Sequence, residues 1–105
     1  MGSEPTEIWK DGTKVWWNDM GLAHRENGPA VISPDGQHHW YINGKRHRED
    51  GPAVIFPNGR QFWHINGYDI TDEIHKWAKD RDIDLNNLSD IDKMIISMEW
   101  GNYGK

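Results

Sequence analysis

HRENGPAVI occupies residues 24–32 and HREDGPAVI residues 47–55; eight of nine positions agree, and the two starts lie 23 residues apart. The match extends outward. Residues 35–57 read DGQHHWYINGKRHREDGPAVIFP, and residues 11–34 read DGTKVWWNDMGLAHRENGPAVISP, with one extra residue between Trp16 and His24. A third copy opens at Asn58 as NGRQFWHINGYDI and then departs from the pattern. A period of about 23 residues signals repeated architecture, in which each unit buries its faces against its neighbours.

Each unit holds two strand-like runs. QHHWYI, RQFWHI and PAVIF are rich in aromatic and β-branched residues, and Asn43–Gly44 and Asn66–Gly67 are hairpin-turn dipeptides. Pro29 and Pro52 have no N–H for a ladder and belong at strand starts or edges. The expected fold is α+β: an antiparallel β-hairpin meander over residues 6–70, then two short helices over 71–105 that cap the same domain. The first helix starts at Thr71, with Ile70, Ile74 and Trp77 at helical spacing up to about Asp80. Ser89 with Asp92 three positions on spells a capping box, and Ile91, Met94, Ile95 and Met98 then recur as the expected apolar face. Residues 1–5 are expected to be a flexible N-terminus, with the opening Met-Gly-Ser set aside as a cloning remnant. No counterpart cap is visible ahead of the first unit, so that edge is expected to pair with a second copy or a partner.

NGKRH followed by a Gly-punctuated strand and NGRQFWHING resembles the MORN repeat, whose units run through an aromatic, a Gly-Lys pair and a His-Gly-x-Gly stretch. The chain departs from it by placing HRExGPA where that family has His-Gly-x-Gly. This variety is similar to repeats of small bacterial and tailed-phage proteins. The resemblance covers roughly residues 11–68. It implies a hairpin ribbon and, through the company it keeps, a phage-encoded protein directed at a host factor. The wider MORN association with phospholipids needs a basic face, which a net charge of −5 opposes.

Composition narrows the class. A chain of 105 residues is one domain by length. Only 35% of it is hydrophobic and its mean hydropathy is −0.93, too little aliphatic material for a thick two-layer core. Seven Trp and eleven Ile nevertheless argue for a folded chain, since disordered segments lack aromatic and β-branched residues. With no Cys, disulfides and thiolate metal sites are excluded, which fits the cytoplasm. No stretch approaches the ~20 apolar residues of a membrane span. The acidic balance speaks against nucleic acid, whose binders carry basic patches.

No nucleophile motif or Gly-rich phosphate loop is present, so the chain reads as no enzyme, with no cofactor. Metal binding is not expected either. Equivalent histidines in successive hairpins stand about 10 Å apart, too far to share a zinc ion. Residues 80–91 imitate a calcium loop but place Leu85 where Gly is needed and Ile91 where Glu is needed. The HRExGPA residues read first as structure: Arg and Glu pair, His packs on Trp, and Gly-Pro sets a turn. A candidate binding surface remains in Trp16, Trp17, His24, Arg25, Trp40, His47, Arg48 and Trp63. One of Trp16 and Trp17 must face away from the core and is the sharper candidate for a contact. The expected function is a small protein-interaction module inhibiting a host defence protein. The alternative is a nucleotide or small-anion binder using the His-Arg pairs and a Trp.

Overall fold

The computed structural model describes residues 4–104; the expected flexible N-terminus falls, for residues 1–3, outside the described residues. In chain order the strands are β1 (Glu7–Ile8), β2 (Lys14–Val15), β3 (Val31–Ile32), β4 (His38–His39), β5 (Tyr41–Ile42), β6 (Lys45–Arg46), β7 (Val54–Ile55), β8 (Gln61–Phe62), β9 (His64–Ile65) and β10 (Tyr68–Asp69). Two helices follow, α1 (Thr71–Asp80) and α2 (Asp90–Trp100). Six strands form one antiparallel sheet in the order β1-β2-β3-β4-β7-β8, while β5-β6 and β9-β10 are separate hairpins. The α+β ribbon with terminal helices is thus the architecture observed.

The ribbon differs from a plain meander, and the tryptophans are the reason. The run QHHWYI is two strands with Trp40 between them. Trp40 donates its N–H to the Ala53 carbonyl, inside the main sheet, and its own carbonyl accepts from His47, inside the outer hairpin. Each Trp is the residue at which the chain changes partner. Trp16 does the same, bonded to the Ala30 carbonyl and to the His24 N–H. The outer hairpins then bond to one another: Arg25 N–H to the Tyr41 carbonyl, Gly44 N–H to Ala23, Arg48 N–H to His64 and Gly67 N–H to Arg46. Two ladders therefore run side by side, joined along a line of Trp residues.

Turn chemistry fixes the register. Asn43 and Gly44 have φ of 50° and 80°, and Asn66 and Gly67 of 49° and 87°, the left-handed pair that a tight two-residue hairpin requires. The one-residue insertion in the first unit is absorbed at its hairpin tip, where Asn18 accepts from the Met20 and Leu22 N–H groups.

The third unit ends the array. Ile70 and Thr71 occupy the places of His47 and Arg48, seven and eight residues after the Trp. Ile70 N–H still donates to the Trp63 carbonyl, and the Thr71 hydroxyl accepts the Trp63 N–H in place of the Ala carbonyl used earlier. Thr71 also opens α1. Contrary to the expectation of too little material for it, ribbon and helices bury a two-layer core here: Trp63, Ile65, Ile70, Ile74, Trp77, Ile96 and Trp100 pack together, with Trp77 and Trp100 edge to face at 5.8 Å, aromatic rings supplying what aliphatic residues do not.

Two expectations need correction. First, α2 begins with the expected capping box, Ser89 and Asp92 bonding each other's backbone, but it buries Ile96 and Trp100. Of the expected apolar face only Ile95 packs against the core, and Ile91, Met94 and Met98 are exposed. The helix carries two apolar stripes, and the one holding Ile96 and Trp100 faces the core, with Trp100 edge to face on Trp77. Second, a strand lies ahead of the first unit's own, so the open edge of the sheet is β1. β1 pairs with β2, the Thr6 hydroxyl accepts the Trp17 N–H at 3.1 Å, and Glu7 accepts the Trp17 indole N–H at 2.8 Å. Ile8 and Trp9 remain exposed on that edge.

Candidate functional site

His24 and His47 couple neighbouring units. The Nδ1 of His24 accepts the N–H of Asn43 at 3.0 Å, and the Nδ1 of His47 accepts that of Asn66 at 3.0 Å. Both donors are the first residue of the next unit's Asn-Gly turn, whose N–H the outer ladder does not use. A ring that accepts at Nδ1 carries its proton at Nε2; His47 donates it to Glu49 at 3.0 Å, whereas in the first unit Glu26 stands 3.9 Å from His24. The third unit has no successor to hold and places Ile70 at this position.

Arg25 and Arg48 clamp their own units. The guanidinium carbon of Arg25 lies 3.9 Å from the Trp16 ring centroid and that of Arg48 4.0 Å from Trp40. Nη1 donates to the Pro29 carbonyl in one unit and to that of Pro52 in the other. A Cβ added at Gly51 would lie 2.6 Å from the Arg48 guanidinium carbon, and at Gly28 3.1 Å from that of Arg25. A side chain at either Gly would push the guanidinium from its place, most at Gly51. The words of HRExGP are thus each accounted for: His reaches the next turn, Arg covers the Trp, Gly makes room for it, and the Pro carbonyl receives it.

The one difference between the nine-residue copies has a structural consequence. Arg48 Nε donates to Asp50 at 3.0 Å, but Asn27 replaces the aspartate in the first unit and Arg25 Nε is buried without a partner. Asn27→Asp is expected to stabilise the protein by about 1 kcal/mol, raising Tm by about 4 °C for a domain of this size. A Tm at or below the wild-type value in a thermal melt would count against the pairing.

The candidate surface is only partly a surface. Trp63 is 1% exposed and Trp16 is buried beneath Arg25, so both leave the set. Trp17 is half-buried, its indole tied to Glu7. Arg25, Trp40, His47 and Arg48 do come together, in a groove of about 930 Å³ between the HRExGP turns and α2, whose Met94 forms the opposite wall. Its cations Arg25, Arg48 and Lys93 are matched by Glu26, Glu49 and Asp50. The Ser97 hydroxyl donates to Glu49 and ties α2 to the second unit.

On the other side of the ribbon, an aromatic row was not singled out from the sequence. Tyr41, His39, Phe56 and Phe62 follow one another at centroid distances of 6.5, 6.1 and 5.9 Å. All four are half-buried, with Arg46 over Tyr41 and Arg60 over Phe62. The only sequence signal was alternation along β4 and β8, which puts His39 and Phe62 on one face.

Two rings in this region are sensitive to protonation. Burial holds the imidazoles of His39 and His64 below their ordinary pKa; Arg46 adds to this at both, and Asp69 opposes it at His64. In each ring Nδ1 is buried without a partner. The unfolded rings titrate near ~6.5, so below that pH the unfolded chain binds more protons and stability falls as pH drops. Three carboxylates act lower. Asp11 is held below the usual range by the Thr13 N–H and Asp35 by the Ser33 hydroxyl; at Asp69 burial pushes upward but the Thr71 hydroxyl and N–H prevail. Their contribution is present above about pH 4 and lost beneath it. Urea midpoints are expected to fall first between about pH 7 and 5, then again below about pH 4. Replacing His39 and His64 together with Gln should flatten only the first fall; its persistence in that variant would refute the assignment.

Among the described residues, no three His, Asp or Glu side chains are placed to hold a metal ion, and no helix is long and apolar enough to cross a membrane. No family model matches this chain, no curated protein matches it, and no solved structure matches its fold.

Proposed function

We propose that the protein is a non-enzymatic interaction module that occupies a surface of another protein, in the manner of a small phage inhibitor acting on a host factor in the cytoplasm. The observation that carries this reading is the unused stripe of α2. Ile91, Met94 and Met98 stand at i, i+3 and i+7 and are 64%, 56% and 74% exposed. The same helix buries Ile96 and Trp100 against the core, and the stripe lies outside that core. Exposed apolar side chains aligned on one helix face are the usual material of a protein contact, methionine especially because it adapts to varied partners.

The groove favours a second reading, a small anionic ligand held by the His-Arg pairs. Against it, both guanidiniums are already stacked on Trp and bonded to carbonyls, and three carboxylates line the same walls. Capture from host lysate separates the two. Wild-type protein should retain one host protein that the Met94→Glu, Met98→Glu double variant loses at unchanged Tm. Loss of neither would contradict the reading. A thermal shift with nucleotides or phosphate would support the rival, since a ligand at 100 times its Kd adds about 2.7 kcal/mol.

A further inference from the structure

Resting on that interaction reading, we infer that the open face of α2 and the adjoining groove receive a basic amphipathic α-helix of the partner protein. Two observations point to this occupant. The first is where the charge lies. Residues 11–68 carry six acidic and six basic side chains, whereas residues 69–104 carry nine acidic and four basic. The net charge of −5 therefore resides in the helical segment that presents the apolar stripe.

The second is the layout of the groove. Its apolar surfaces are Met94 on α2 and Trp40 and Ile42 on the second unit. Glu26 and Asp50 line it from the first and second units with side chains 79% and 60% exposed, Asp50 already paired with Arg48. Asp90 and Glu99 are exposed on α2 itself, on either side of the stripe. Of the three cations there, Lys93 stands on α2 and the two arginines are engaged. Arg25 lies on Trp16 and Arg48 on Trp40, and each donates to a proline carbonyl. An incoming helix thus meets apolar side chains along its middle and carboxylates along both flanks, the complement of a helix with one apolar stripe between rows of Lys or Arg.

The test uses two labelled 18-residue helical probes, one of Leu and Lys and one of Leu and Glu with the same apolar pattern, read by fluorescence anisotropy against the full chain. The Leu/Lys probe is expected to bind, and raising the salt from 50 to 300 mM should weaken it severalfold as the charges are screened. Met94→Ser with Met98→Ser should weaken it by at least about tenfold at unchanged Tm. Asp80→Asn with Asp82→Asn, which removes acid beyond the face, should leave it within about twofold. Equal binding by the Met double variant would overturn the inference, because attraction to an acidic protein would then suffice. Preference for the Leu/Glu probe, or binding of neither, would also overturn it, while capture of a host protein sensitive to Met94 and Met98 would leave the interaction reading standing. Self-association in light scattering that the Met double variant abolishes would make a second copy the occupant instead.

Discussion

Replacing Trp63 with alanine is expected to cost about 3–5 kcal/mol, the range for truncating a buried aromatic, and to leave little of a small domain's stability. Trp63 belongs to both halves of the molecule. Its backbone carries the last partner change of the ribbon, and its ring lies under both helices with Ile74, Ile96 and Trp100. Elsewhere in the ribbon, Trp16 and Trp40 are covered by the Arg25 and Arg48 side chains. The buried cluster that joins ribbon and helices lies at the third unit. Trp40→Ala, at a half-buried ring outside this core, is expected to cost clearly less. Urea unfolding of the two variants checks the order, and a Trp63→Ala loss below about 1 kcal/mol would mean that the helices are not held through this ring.

Arg48→Lys is expected to destabilise nearly as much as Arg48→Ala, by about 2 kcal/mol in each case. Positive charge alone does not satisfy the site. A planar group lies flat over Trp40 while Nη1 reaches the Pro52 carbonyl and Nε reaches Asp50, each at 3.0 Å. Lysine has one donor head and cannot occupy both directions while covering a ring. Truncation also leaves the partly buried proline carbonyl without its donor, and an unmet buried acceptor costs about 1–3 kcal/mol. Gly51→Ala should reproduce part of this loss through the guanidinium it displaces. Urea midpoints at neutral pH decide the matter. Wild-type stability in the Lys variant would show that charge alone suffices at this position.

Local signals in the sequence are legible wherever a backbone rule leaves one choice. Asn43–Gly44 and Asn66–Gly67 turn as such pairs must, α1 runs from Thr71 to Asp80, and Ser89 caps α2. What escaped the sequence was choice among partners. Trp40 lies within an unbroken strand-like run, yet it bonds one neighbour through its N–H and another through its carbonyl; no property of Trp announces that. Helical periodicity found Ile91, Met94 and Met98 but could not rank them against Ile96 and Trp100, because the outcome depended on Trp77 from another helix. In the sequence the His-Arg pairs look like a structural device with a surface in reserve. Their actual bonds join His24 to Asn43 and His47 to Asn66, each across 19 residues, a distance at which neither residue marks the other.

The most direct test of the whole account is amide exchange at the two Asn-Gly turns. If each histidine pins the next unit, His47→Ala will strip protection from the Asn66 amide and spare Asn43, while His24→Ala will do the reverse, since exchange reports local opening. Unchanged exchange at Asn66 in His47→Ala would contradict the claim that the repeated phrase stitches one unit to the next.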